Sequence, residues 1–422
     1  MIDIKRIREN RDFIQAEVLK KGVNASIAEI INLDLARREA LTEVEQLKAK
    51  RNAASKVVGQ MKAKGEDASQ IMAETKALGE DIAAIDVKVR EIDAGLEERM
   101  LMLPNIPHES VPEGATAEEN IVVREWGSIH EHAFSAVDHK TLGEKLGLFD
   151  FERGAKISGS GFPIYKGLGA KFERALISYF IDSLGSWGFT EVMVPHVVTK
   201  ESLIGTGQLP KFADQLYTIP EDGLYLIPTA EVPITNMHAQ EVLNEQVLPL
   251  KYCGYTPCFR REAGSYGKDV RGFLRLHQFN KVEMVMFAHP EKSYELHEEI
   301  TNCSEKLLQG LGLHYRVISL CKGDLGFGAS KCYDLEVWSP VEQRWLEVSS
   351  CSNFEEFQAR RANIKSKIDG KNTFVHTLNG SGLATPRVLV ALLDKYQNED
   401  GSLTVPEVLR PYLGGLEVIR AD

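Results

Sequence analysis

No two of the six cysteines, at positions 253, 258, 303, 321, 332 and 351, form a CxxC pair, and no His-x3–5-His partner accompanies them. The spacing that gathers thiolates around a tetrahedral ion is missing, so no zinc is expected. Scattered thiols without a disulfide framework fit a reducing, cytoplasmic compartment. No apolar run reaches the length of a membrane-spanning helix, so no membrane partner is expected. The amino terminus, MIDIKRIREN, carries charge at every second or third position and lacks the apolar core of a signal peptide. Positive charge is the scarcer sign: 50 Lys and Arg against 61 Asp and Glu, a formal net of −11. That balance argues against coating long nucleic acids non-specifically, but it leaves room for a local basic surface. There is no low-complexity segment and no internal repeat beyond the heptads described next.

What is present divides the 422 residues into two parts. Ile71, Leu78, Ile85 and Ile92 recur every seven residues, as do Ile82, Val89, Leu96 and Leu103 in a second register. Such a 3-4 seam predicts a coiled-coil helix. Leu33, Ala40, Leu47, Ala54 and Met61 repeat at seven in the preceding segment. Between the two lies KAKGEDAS, where Gly65 suits a left-handed helix end and Asp67 or Ser69 a following cap. An antiparallel helical hairpin is therefore predicted over the first 110 residues, closed by Pro104, Pro107 and Pro112. From Arg37 to Lys64 there are eight cations (Arg37, Arg38, Lys48, Lys50, Arg51, Lys56, Lys62, Lys64) against three anions, a net of +5. A basic prong on an acidic protein suits the phosphates of an RNA stem, although a charged coiled-coil face is also simply well solvated.

Residues 111–422 mix short alternating strands with helices and read as one α+β domain. Within it, Tyr255 to Met284 holds six cationic side chains: Arg260, Arg261, Lys268, Arg271, Arg275 and Lys281. Tyr252–Glu262 and His277–Phe287 read as strands joined by a glycine-containing mobile loop. Period-two alternation puts Arg260 with Glu262 on one face, and Phe279, Lys281 and Glu283 on one face of the second strand. A guanidinium, two carboxylates and an aromatic ring on a common surface suit a bound nucleotide, or equally a surface ion-pair ladder.

FRREAGSYGKDVRG followed by HQFNKVEM resembles motif 2 of the seryl-tRNA synthetases, a class II family. LIPTAEVPITN (226–236) is similar to that family's TAE segment, and EVSSCSNFEEFQARR (347–361) to the stretch entering its last catalytic strand. HTLNGSGLATPRVLVALLDKYQ (376–397) resembles motif 3, VPEVLRPYLGG (405–415) the C-terminal tail, and FTEVMVPHVV (189–198) motif 1. The hairpin resembles the family's tRNA-binding arm, so the resemblance covers nearly the whole chain. It implies a class II antiparallel sheet flanked by helices, with the arm at residues 1–110 and the catalytic domain at 111–422.

The resemblance also implies roles. Thr229, Ala230 and Glu231 line a serine pocket, the first and third pointing the same way from a strand-like segment; Glu283 takes the substrate's ammonium, and Asn379 and Ser381 complete the pocket. Arg260 bridges the serine carboxylate and the ATP α-phosphate. Arg261 and Glu262 adjoin the nucleotide, and Leu276, His277, Gln278 and Phe279 form the adenine site, with Phe279 stacking beneath the base. Arg275 reaches the outer phosphates. Glu347, Val348, Ser349 and Ser350 follow the phosphates, with Glu347 and Ser350 as Mg²⁺ contacts. Three-residue spacing sends side chains to opposite faces of a regular strand, so their convergence requires a bulge or strand end. Thr385 is expected to cap the helix that presents Arg387, with Pro386 in its first turn.

The implied reaction joins L-serine to tRNA(Ser), and to tRNA(Sec) where it exists, with ATP as substrate, Mg²⁺ as cofactor and a homodimer built through motif 1. No side-chain nucleophile is required. Two other readings differ in class: an RNA-binding regulator lacking catalysis, and a ligase that loads a carrier protein. The first would be free to lose Arg260, Glu283, Glu347 or Arg387, all of which are present. The second has no use for a basic arm.

Overall fold

The computed structural model describes residues 1–263 and 271–421. Residues 264–270, part of the loop expected between the two basic strands, lie outside the described residues. The chain divides into two compact units, Ile2–Pro104 and Met1 with Asn105–Asp422.

The first unit is dominated by α1 (Ile27–Lys64) and α2 (Ser69–Leu101). At 1.5 Å per residue these helices run roughly 57 and 50 Å. Ser26 caps α1 by accepting from the Glu29 N–H. Gly65 ends it at φ 75°, a left-handed conformation that a side chain would strain. Asp67 then accepts from the Ser69 N–H at 2.9 Å, opening α2. Ion pairs join Glu29 to Arg99, Arg37 to Asp93 and Lys48 to Asp86. One partner's number rises as the other falls, so the helices are antiparallel. Ile82 and Val89 are buried in the seam, whereas Leu103 falls beyond the last residue of α2.

In the second unit eight strands form one sheet: β1 (Ile121–Trp126), β2 (Thr190–Glu191), β3 (Leu250–Phe259), β4 (Gln278–Ala288), β5 (Tyr315–Ser319), β6 (Lys331–Ser339), β7 (Arg344–Asn353) and β8 (His376–Ala384). Their spatial order is β1-β5-β6-β7-β8-β4-β3-β2. Every neighbouring pair is antiparallel except β2 with β3. Helices α3 (Leu168–Ser186), α4 (Glu231–Asn236), α5 (Ser293–Gly310), α6 (Phe357–Ala362) and α7 (Thr385–Tyr396) complete the frame that matters here.

Alternation along β4 explains the layering. Met284 and Met286 join Phe180 and Leu184 of α3, Ile300 and Leu307 of α5 and Leu389 of α7 in the main core. Val285 and Phe287 point the other way, into a smaller cluster with Ala230, Ile234 and Ala359. Each such fully buried side chain stabilises the fold by about 1.5–3 kcal/mol relative to exposure. Lys281 and Glu283 share the parity of Val285, so polar groups replace apolar ones at that end of the same face.

Three local expectations are corrected. The strand before the basic loop stops at Phe259, so Arg260 and Glu262 are not on a strand face. The Arg261 N–H turns to the Gln215 carbonyl, and Glu262 takes φ 49°, which breaks the extended run. Glu231 begins the short helix α4 instead of lying on a strand with Thr229. Thr385 does not cap α7: its hydroxyl donates to Glu173, 2.5 Å away, and lies 3.2 Å from the Asn280 carbonyl.

Candidate active site

A cavity of about 640 Å³ opens in the second unit over the polar end of β4 and its neighbours. Thr229, Glu231, Arg260, Glu262, Leu276 and Phe279 line it, as do Arg275, Glu347, Val348, Ser350, Asn379, Ser381 and Arg387. Of the expected residues, Ala230, Arg261, His277, Gln278, Glu283 and Ser349 are not part of that lining. Ala230 is fully buried behind it. His277 donates from Nδ1 to the Arg260 carbonyl, 3.0 Å away, and stacks on Phe162. Gln278 is exposed, and Arg261 is held through its backbone by Gln215. Ser349 lies beneath, donating to the Ser381 carbonyl at 2.7 Å. Glu283 is fully buried and is reached through its partners Asn379 and Lys281, both of which line the cavity.

Arg260 is aimed by three contacts. Its N–H bonds the His277 carbonyl at 2.9 Å, its Nε donates to the Pro228 carbonyl at 3.3 Å, and its guanidinium stands 5.2 Å from the centre of the Phe279 ring. The ring thus faces the cavity and steers a cation across it. Glu262 pairs with Arg275 at 2.7 Å. Arg387, third residue of α7, donates to the Glu347 carbonyl at 2.9 Å and the Leu274 carbonyl at 3.3 Å. It therefore sits at a helix N-terminus whose dipole adds to its attraction for anions.

Glu347 and Ser350 do converge, and the ladder gives the reason. Leu335 faces Ser349 while Glu336 faces Glu347, so Val348 is an extra residue that resets the alternation of β7. The bulge brings both side chains to the cavity. Behind them Asp334, opposite Ser350 on β6, is pushed well above the usual carboxylate range by burial and by the neighbouring Glu347.

The carboxylates deeper in the cavity have an unusual electrostatic setting. Burial, reinforced by repulsion from Glu283, raises Glu231 to about 7. Gln358 of α6 donates to Glu231 at 2.7 Å and itself accepts from Thr377 at 2.7 Å. Burial also raises Glu283, opposed chiefly by the ammonium of Lys281 and then by Arg260. Sequence reasoning assigned no role to Lys281 or Gln358. Lys281 shared the alternation of Phe279 and Glu283 and was findable by it; Gln358 carried no local signal, because its partner lies 127 residues away.

Beneath the cavity, Glu173 of α3 accepts from Thr385 and, at 2.8 Å, from Asn280, tying α3, β4 and α7 together. Burial raises its carboxyl from 4.5 to about 7. The folded state thus keeps a proton that the unfolded chain sheds above 4.5. The stability this group contributes is complete below that pH and is lost as pH rises towards about 7. Glu173→Gln is expected to flatten the decline of Tm between pH 5 and 7.5, removing an effect of up to about 3 kcal/mol. Parallel melting curves for variant and parent across that range would refute the assignment.

In the first unit, Arg37, Arg38 and Lys48 are engaged by Asp93, Asp34 and Asp86 respectively. Lys50, Arg51 and Lys56 make no ion pair among the described residues; Lys50 and Lys56 are exposed and Arg51 is half-buried.

The eight-stranded, mostly antiparallel sheet thus carries a cavity framed by two arginines. A family model for the tRNA synthetase class II core domain (G, H, P, S and T) matches residues 216–396, and one for the seryl-tRNA synthetase N-terminal domain matches residues 1–107. The chain is 51% identical to the serine–tRNA ligase of Thermodesulfovibrio yellowstonii, with 100% of each chain covered. It is 59% identical to that of Chlorobaculum parvum over 78% of each. Seryl-tRNA synthetase from Pyrococcus horikoshii, solved in complex with ATP, superposes with a TM-score of 0.92 at 37% identity over 100% of both chains. The chain belongs to the seryl-tRNA synthetase family. No helix among the described residues is long and apolar enough to cross a membrane.

Proposed function

We propose that the cavity activates L-serine with ATP to give seryl-adenylate and pyrophosphate, and then passes serine to the 3′ end of tRNA(Ser). The observation that carries this reading is the meeting of Arg260 and Arg387 with buried Glu231 around one cavity, with buried Glu283 just behind its lining residues Asn379 and Lys281. Two cations match a carboxylate and a phosphate; two buried acids match an ammonium and a hydroxyl.

In the first step the serine carboxylate attacks the α-phosphorus and pyrophosphate leaves. In the second a terminal ribose hydroxyl of the tRNA attacks the acyl carbon and AMP leaves. Catalysis rests on alignment and charge neutralisation, with no covalent enzyme intermediate. Arg260 bridges carboxylate and α-phosphate, and Arg387 meets the phosphates from its helix end. Glu283 takes the ammonium, while Thr229, Ala230, Glu231, Asn379 and Ser381 surround the serine. Arg261, Glu262 and the segment Leu276–Phe279 receive adenine, Phe279 supplying the stacking face. Alanine is rejected because the polar groups meant for the hydroxyl would be left unpaired.

The oxygen donors of Glu347 and Ser350, turned the same way by the bulge, fit Mg²⁺. They and the backbone of Val348 and Ser349 would follow the phosphates, and the ion when bound supplies further neutralisation of phosphate charge. The arm, through Arg37, Arg38, Lys48, Lys50, Arg51 and Lys56, grips the long variable arm of tRNA(Ser); tRNA(Sec) is a second acceptor where it exists. The protein works in the cytoplasm as a homodimer through motif 1, where Met193 is 93% exposed two residues before Pro195. Light scattering at the monomer mass of 47.1 kDa would refute that assembly.

Purified protein is expected to catalyse ATP–pyrophosphate exchange that depends on serine. Testing the twenty amino acids one by one decides the matter: exchange supported better by another amino acid would overturn the assignment.

A further inference from the structure

Lys281 has no part in the chemistry described above, yet it is one of the most deeply buried lysines in the second unit, 6% exposed. It stands two residues before Glu283 on β4, on the same face, and its ammonium contacts Oε2 of that fully buried carboxylate. The other oxygen of Glu283 accepts from Asn379 at 2.9 Å. A carboxylate removed from water loses its hydration and takes up a proton unless a cation stands beside it. A protonated Glu283 has no charge to offer an ammonium group.

We propose that Lys281 is a positioning residue of the serine pocket, the resident counter-ion that keeps Glu283 ionised and aimed at the cavity for an amino acid's ammonium. The inference rests on the serine-pocket reading above and gives that pocket a charge-setting group. Among the described residues the geometry around the pair leaves no closer substitute. Across the sheet, Thr256 and Cys258 of β3 offer no positive charge, and Ser381 of β8 is neutral. Glu231, from α4, adds negative charge. Arg260 is the other cation that favours ionised Glu283, but its guanidinium is drawn to the Pro228 carbonyl and the Phe279 ring. Without Lys281, two buried carboxylates face one shared arginine, and the pair holds a proton to higher pH.

The test is steady-state exchange by the full chain carrying Lys281→Met, with serine and ATP titrated separately from pH 6 to 9. KM for serine is expected to rise about 30-fold at pH 7 and to recover roughly tenfold per pH unit as the pair ionises. KM for ATP should stay within about threefold, and Lys281→Arg should restore most of the serine affinity at pH 7. A Lys281→Met profile parallel to the parent's, or an ATP KM rising in step with that for serine, overturns the inference. If methionine lowers the melting temperature enough to compromise the assay, Lys281→Gln at the same pH values carries the same two outcomes. Glu283→Gln, measured alongside, separates the levels. Unchanged serine KM in that variant removes the serine-pocket reading and the inference with it. A raised serine KM there, beside an unshifted Lys281 profile, removes the inference alone.

Discussion

Arg260→Ala is expected to cut serine-dependent pyrophosphate exchange on the order of 10³-fold or more, with the fold retained. One guanidinium is asked to neutralise both the attacking carboxylate and the α-phosphate, and a preorganised donor at a developing charge supplies about 3–4 kcal/mol of transition-state stabilisation. Its aim is set by the His277 and Pro228 carbonyls and the Phe279 ring, so water filling the gap would not reproduce the planar fork. Arg260→Lys keeps the charge but loses the fork, and an intermediate loss is expected. The side chain is only partly buried, so the loss should fall on rate and not on melting temperature. A loss under tenfold in the alanine variant would remove Arg260 from the chemistry.

Deleting residues 30–100 should leave exchange within about twofold while reducing tRNA charging by at least about 10³-fold. The first expectation follows from the division of the chain: every residue lining the cavity belongs to the second unit. The splice is sterically reasonable because Glu29 and Arg99 are in contact at 3.3 Å, so the cut ends of the hairpin already lie together. The second follows from charge. Each phosphate neutralised by a lysine or arginine releases counterions, which makes binding strong and salt-dependent. Charging by the intact chain should therefore weaken steeply with salt, and the residual activity of the shortened chain should not. Equal loss of exchange and charging would show that the arm is no separate RNA reader. Within the arm, Lys50, Arg51 and Lys56 are expected to matter most. Arg37 and Lys48 already meet carboxylates of α2, exchanges worth only about 0–1 kcal/mol but sufficient to orient them.

Gly65 and the heptads made the hairpin readable before any coordinates, since both act within a few residues: one by its freedom at φ 75°, the others by lining one side of a helix. The alternation of Phe279, Lys281 and Glu283 was readable for the same reason. Arg260 and Glu262 were misread as strand residues because nothing local announces the left-handed turn at Glu262. Thr385 was misread as a cap because its hydroxyl prefers Glu173, 212 positions away.

Elements whose form depends on neighbours along the chain, the two long helices and the β3–β4 pair, could be drawn from composition and period alone, as could the charge that each carries. The bulge at Val348, the support of Glu231 by Gln358 and the proton held by Glu173 emerged only after folding. Each depends on which distant backbone or side chain becomes the nearest partner once water is excluded, and period along the chain holds no information about that.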